Sequence, residues 1–261
     1  MTIPTTVFKT AIFVSLLFLS SCQKESKSPP PAGNSVPVNA KGAQFVAIEK
    51  LAQAGNPEAQ YHFGMMYNNG EGVQKDPKEA FEWFQKASDA GDALAAFKVG
   101  CYYNGQFPGV VPIDQGKYFE YSLVAAKAGY SLAQGEIGNV YFQQGNTDEA
   151  IKWWKLAAAQ GYPNALYNLS VAYDDGKVVP KDKALTYSYF KLAKLVSERQ
   201  ISPNAQSTLD ELAGALTKDE LTKAEQTVAE WKAQPTLLTQ KAMNGIEEAN
   251  KLIKNSADAA R

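Results

Sequence analysis

Apolar side chains recur along this chain at helical spacing, and they do so in blocks. In the first block Ala59, Phe63 and Tyr67 fall every four residues and mark one helix face. After the break Asn68-Asn69-Gly70-Glu71-Gly72, a second run places Ala80, Trp83, Phe84 and Ala87 on one face. Asn56-Pro57 opens the first helix and Asp76-Pro77 the second, because proline suits a first turn and an aspartate side chain accepts from its free amide groups. Gly91 closes the second helix and begins the next block.

The block returns three times. A glycine, an alanine four residues on and a tyrosine twelve residues on occur as Gly55/Ala59/Tyr67, Gly91/Ala95/Tyr103, Gly129/Ala133/Tyr141 and Gly161/Ala165/Tyr173. A further glycine sits nine residues in, at Gly64, Gly100 and Gly138, with Ser170 in the fourth copy. The steps of 36, 38 and 32 residues predict stacked helical hairpins. The second helices carry Tyr118, Tyr121 and Ala125, then Ala150, Trp153 and Ala157, then Ala184 with Tyr187. Copy four lacks a closing glycine and runs on through Leu192, Leu195 and Val196, as a terminal unit with an altered outer face should.

Both flanks read as helices. Phe45, Ile48, Glu49 and Leu51 predict a helix that caps the N-terminal end. A helix over Ala205 to Leu216 follows the array, and Thr217-Lys218-Asp219-Glu220 forms a capping box that opens another, running to Trp231. Beyond Pro235, the residues Leu238, Ala242, Ile246, Ala249 and Ile253 keep helical spacing, and docking, partner binding and fraying all remain open for that segment.

The stretch Ala59-Gln60-Tyr61-x-Phe63-Gly64-x-x-Tyr67-x-x-Gly70-x-Gly72-Val73, continued by Asp76, Ala80, Trp83, Ala87 and Gly91, resembles the Sel1-like repeat family, a relative of tetratricopeptide repeats. The resemblance implies an all-α fold, a right-handed superhelical solenoid of antiparallel helix pairs with C-terminal capping helices. The array is expected over 41–200, in copies near 55–90, 91–128, 129–160 and 161–196, with the caps over 201–234 and a last helix or tail over 235–261. For function it implies contact with other proteins and assigns no catalytic residue.

The N-terminus has a separate role. One charge, Lys9, precedes an apolar run from Ala11 to Leu19, too short for a bilayer core that needs about 20 residues. The run ends in Leu19-Ser20-Ser21-Cys22, which resembles a bacterial lipobox and implies a cleaved signal peptide over 1–21 and acylation of Cys22. Residues 22–40, with their lysines, serines and Pro29-Pro30-Pro31, bury nothing and are expected to be a disordered tether. With Gln23 after the cysteine, the expected site is the outer membrane facing the periplasm, reached through the lipid anchor alone. If Cys22 is acylated, Cys101 has no partner in a chain of two cysteines.

Composition narrows the chemistry. The formal charge is −1 with no basic block, which argues against nucleic acid. His62 is the only histidine, so no metal site of the usual spacing and no cofactor is expected. Cys101 with His62 is the one conceivable nucleophile pair, and Asp174-Asp175 at a helix end reads as turn chemistry. The chain is therefore expected not to be an enzyme. A β-lactam-binding or hydrolysing activity, known in cysteine-rich relatives of the fold, lacks its cysteines here.

A binding surface is the remaining candidate. The face of each first helix not used for packing is expected to line the concave side in three rows. They are Tyr61, Phe97, Gly135 and Tyr167; Met65, Cys101, Asn139 and Val171; and Asn68, Asn104, Phe142 and Asp174. Aromatic anchors among amides are enriched at interfaces, although Asn68 and Asn104 could equally cap their helices. The expected partner is another protein of the envelope or a secreted one. A toxin effector such as a phospholipase is included, which would make this chain an immunity protein.

Overall fold

The computed structural model describes residues 38–197 and 204–259, with side chains from residue 42 onward. The expected signal peptide and most of the expected tether lie outside the described residues. The end of the tether is corrected, because residues 38–40 already belong to the first helix, α1 (Val38–Gln53).

Four hairpins follow α1. Their first helices are α2 (Pro57–Asn69), α4 (Ala93–Tyr103), α6 (Ser131–Gln143) and α8 (Pro163–Asp175). Their second helices are α3 (Pro77–Asp89), α5 (Gln115–Lys127), α7 (Thr147–Ala159) and α9 (Lys183–Val196). Four more helices complete the described chain: α10 (Ala205–Gly214), α11 (Lys218–Glu230), α12 (Leu237–Met243) and α13 (Gly245–Ala259). Among the described residues the only β pairing is one bridge, Pro108 with Val111, in the loop before α5.

The repeated residues have separate local tasks. Gly55, Gly91, Gly129 and Gly161 precede the first helices with φ of 87°, 93°, 99° and 87°, a conformation that a side chain disfavours. Asn56 and Asp92 then cap α2 and α4, each accepting from an amide three residues on at 2.8 Å. Asp76, Asp114 and Asp182 do the same for α3, α5 and α9. The second glycine serves close packing within each hairpin. A Cβ on Gly138 would lie 2.4 Å from Trp154 Cδ1 and 3.2 Å from the Ala150 carbonyl oxygen. In copy four the equivalent Ser170 fits by donating its hydroxyl to the Thr186 carbonyl at 2.9 Å.

The chain divides into two compact units. One holds the described residues up to Gly129 together with the segment from Leu237. Its N-terminal cluster joins Ile48 and Ala52 of α1 to Ala59, Phe63 and Met66 of α2 and to Ala249 of α13, with Phe45 and Phe63 rings 5.1 Å apart. The last segment is thus docked on α1 and α2 as two helices, not one, broken around Asn244.

The other unit is Tyr130–Thr236. Its core runs through Ala150, Ile151, Trp154, Leu166, Leu169, Leu192 and Val228. Here one expectation is corrected: Trp154, not Trp153, is the buried indole of α7. A neighbouring cluster packs Tyr187 and Phe190 against Leu209, Leu212 and Ala224 of the two following helices. Thr217 and Glu220 form the capping box of α11 as their spacing requires. Beyond it, the Gln234 amide donates to the Ala159 carbonyl at 2.9 Å, and the Thr236 amide to Gln160 Oε1 at 3.0 Å.

Candidate protein-interaction surface

In the first unit the expected open rows are largely closed. Tyr61, Asn68, Phe97 and Cys101 are buried, with Tyr61 at 5% and Phe97 at 1% exposure, while Met65 and Asn104 are half-buried. This corrects the expectation that the first helices keep a free face. Every residue of α4 from Leu94 to Tyr102 is buried, Lys98 included.

Asn68 and Tyr102, both buried in this unit, pair with each other. Asn68 Oδ1 accepts from the Tyr102 hydroxyl at 3.1 Å, and its Nδ2 donates to Asn69 Oδ1 at 2.9 Å. Burial, with Asp76 nearby, pushes the Tyr102 hydroxyl well above the ordinary tyrosine range and keeps it a donor. Asn104 is the C-cap of α4, and its Oδ1 accepts from Gln115 Nε2 at 3.1 Å. Cys101 is disulfide-bonded, unlike the unpaired thiol expected if Cys22 is acylated.

A polar group underlies α12. His62 is buried, and that burial lowers its pKa to about 4; Glu58 raises it in part and Lys241 lowers it further. Lys241 Nζ donates to Glu58 Oε1 at 3.0 Å. Burial also raises the pKa of Asp92, against the hydrogen bond that its carboxylate accepts from Ala95 N–H. Cys101 therefore has no free thiol for a nucleophile pair with His62. Among the described residues no three His, Cys, Asp or Glu side chains gather as a metal site.

The second unit is more open. Phe142, on the last turn of α6, is 42% exposed, and its ring lies 5.3 Å from that of Trp154. Asn139 Oδ1 accepts two bonds, from Trp154 Nε1 at 3.0 Å and from Asn168 Nδ2 at 2.9 Å. Tyr167 is half-buried, 6.1 Å from the Phe190 ring, and Val171 is half-buried on the following turn. Asp174 pairs with Lys181 at 3.6 Å and Asp175 with Lys177 at 2.8 Å, as turn residues do. Gly135 is filled by Tyr162, whose ring carbon would lie 2.3 Å from a Cβ there. Asn139, Phe142 and Asn168 thus meet around one indole. Asn168 and Trp154 escaped the sequence reading. The register seven residues before each closing glycine, which holds Phe84, Ser122 and Trp154, carries the signal for the indole.

The Sel1 repeat family model matches residues 57–92, 93–130, 125–162 and 163–195. Among curated proteins the chain is similar to chitin synthase regulatory factor 4 of Schizosaccharomyces pombe, 26% identical over 173 residues, 66% of this chain and 27% of that protein. It is similar to the putative sel1-like repeat-containing protein L21 of Acanthamoeba polyphaga mimivirus, 31% identical over 126 residues, 48% of this chain and 22% of that protein. The chain thus spans 27% and 22% of the length of these two relatives. Among solved structures it resembles c5321, a protective antigen of uropathogenic Escherichia coli displaying an SLR fold. That likeness has a TM-score of 0.62 at 26% identity, covering 83% of this chain and 45% of that one. A Sel1 repeat protein from Oxalobacter formigenes shares the fold with a TM-score of 0.56 at 21% identity, over 79% of this chain and 90% of that one.

Proposed function

Because the chain belongs to the Sel1 repeat family, we propose that it is a protein-interaction scaffold of the cell envelope, engaging its partner through the aromatic and amide patch around Phe142. The observation that carries this reading is the exposed Phe142 ring, held against Trp154 beside two hydrogen-bonded asparagines. Both lone pairs of Asn139 Oδ1 are used within the chain, so its amide N–H groups remain as donors for a partner's carbonyl or carboxylate oxygens. An aromatic anchor ringed by preorganised donors suits a protein segment rich in acceptors. Tyr167, Val171 and Asp174 extend the patch along α8.

The envelope location rests on the Leu19-Ser20-Ser21-Cys22 motif. The chain has two cysteines, and a thioether anchor and a disulfide to Cys101 are mutually exclusive uses of the Cys22 sulfur. Intact mass of the mature protein, before and after reduction, separates the acylated form from the disulfide-bonded one.

The binding reading is tested by affinity capture from envelope extracts with the wild-type chain and with Phe142→Ala. A protein recovered stoichiometrically by the first and depleted about tenfold or more by the second is the expected result, for loss of a central aromatic anchor. Equal recovery by both chains overturns the patch.

A further inference from the structure

Residues 237–259 are the least embedded helical segment of the first unit. Only Thr239 and Ala249 are buried in this segment, while Leu237, Met243 and Ile246 are 70%, 77% and 66% exposed. An element that leaves three large apolar side chains in water and fully buries none contributes little to the core.

The segment is nevertheless docked by specific contacts. Ala249, Leu252 and Ile253, at i, i+3 and i+4, form one stripe within the cluster of Ile48, Ala52, Ala59, Phe63 and Met66. Gln44 Nε2 donates to Asn250 Oδ1 at 3.1 Å, Lys241 Nζ to Glu58 Oε1 at 3.0 Å, and the Thr239 hydroxyl to the Gly129 carbonyl at 3.3 Å. The helix breaks around Asn244, and residues 231–236 before it, which include Pro235, are not helical. Both features let α12 and α13 leave without unfolding a hairpin.

We propose that this face of α1 and α2 is a docking site for an amphipathic helix of a partner protein, and that α13 is its resident occupant in cis, displaced on binding. This rests on the scaffold reading and names a second site and the chemistry it accepts. The occupant itself is the argument. It shows that the face takes a helix with small and aliphatic residues at i, i+3 and i+4, preceded about two turns earlier by a cation that reaches Glu58. A tethered occupant acts as a competitor at an effective concentration of about 1 mM. With an intrinsic dissociation constant of about 100 μM it fills the site about nine-tenths of the time and weakens a rival helix about tenfold.

The test uses the full chain and a fluorescein-labelled peptide of residues 237–259. Ala249→Asp puts a charge into the stripe and unseats the chain's own helix, so this variant should bind the peptide about tenfold more tightly than wild type. Adding Glu58→Lys should abolish that gain, and a peptide carrying Lys241→Glu should restore it. Hydrogen exchange on the wild type, which needs no variant to fold, should show α13 amides exchanging faster than those of α11. Equal peptide affinity for wild type and Ala249→Asp, or α13 protection matching that of α11, overturns the proposal. Neither result touches the capture experiment at Phe142, so the two readings fail separately.

Discussion

Trp154 donates its indole N–H to Asn139 Oδ1 at 3.0 Å, across the gap that the neighbouring glycine, Gly138, leaves open between α6 and α7. One contact thereby joins the repeat's packing rule to its candidate binding patch. The glycine admits the indole, the indole orients the asparagine, and the asparagine positions Asn168 while Phe142 rests on the same ring.

Gly138→Ala should therefore destabilise the protein by about 1–3 kcal/mol, the usual cost of overpacking, because the Ala150 backbone cannot retreat from the new methyl. Gly42→Ala, in α1 with nothing within 4 Å of the new methyl, should stabilise by about 0.5–1 kcal/mol. Chemical denaturation of both variants gives the comparison, and a Gly138→Ala chain as stable as wild type would refute the close-packing account.

Gly91→Ala isolates the other role of glycine. A methyl at Gly91 meets no atom within 4 Å, yet its φ is 93°. The expected loss, about 1–2 kcal/mol, is purely conformational. Gly91→Asn should recover part of it, since asparagine tolerates left-handed backbone better than alanine does. A melt that ranks asparagine below alanine would contradict this.

Ser122 is fully buried against Gly100, and its hydroxyl has no hydrogen-bond partner. Ser122→Ala removes an unsatisfied polar group and keeps the volume nearly constant. It should raise stability by about 1 kcal/mol. A lower melting temperature for the variant would show that the hydroxyl does find a partner.

His62 should make stability depend on pH. Its pKa is lowered from 6.5 to about 4 in the folded chain, so between those values the unfolded state binds more protons. The stabilisation is fully present above pH about 6.5 and lost as pH falls toward about 4, in total about 3 kcal/mol. Urea melts across this range should show the loss, and His62→Gln should flatten it. An unchanged slope in the variant would assign the effect to other groups.

Much of the fold was legible because the repeat writes its constraints locally. A glycine that must take positive φ, a proline or acid at a helix start and apolar residues every four positions each act over a few residues, so counting finds them. The capping box at Thr217 and Glu220 is read the same way. The binding surface was less legible. Tyr61 and Tyr167 occupy equivalent positions in their copies, yet one is buried and the other half-exposed. Trp153 and Trp154 are adjacent, and it is Trp154, in register with Phe84 and Ser122, that fills the space above Gly138.

Four helical hairpins, the glycines between them and the Asp76 cap are readable in the sequence, since these follow from backbone conformation and short-range periodicity. Tertiary structure alone decided which faces stay open. It buried Phe97, exposed Phe142 and seated α13 on α1 and α2, nearly two hundred residues away along the chain. Solvent access depends on what else packs nearby, and a repeat pattern that is the same in every copy carries no record of its neighbours.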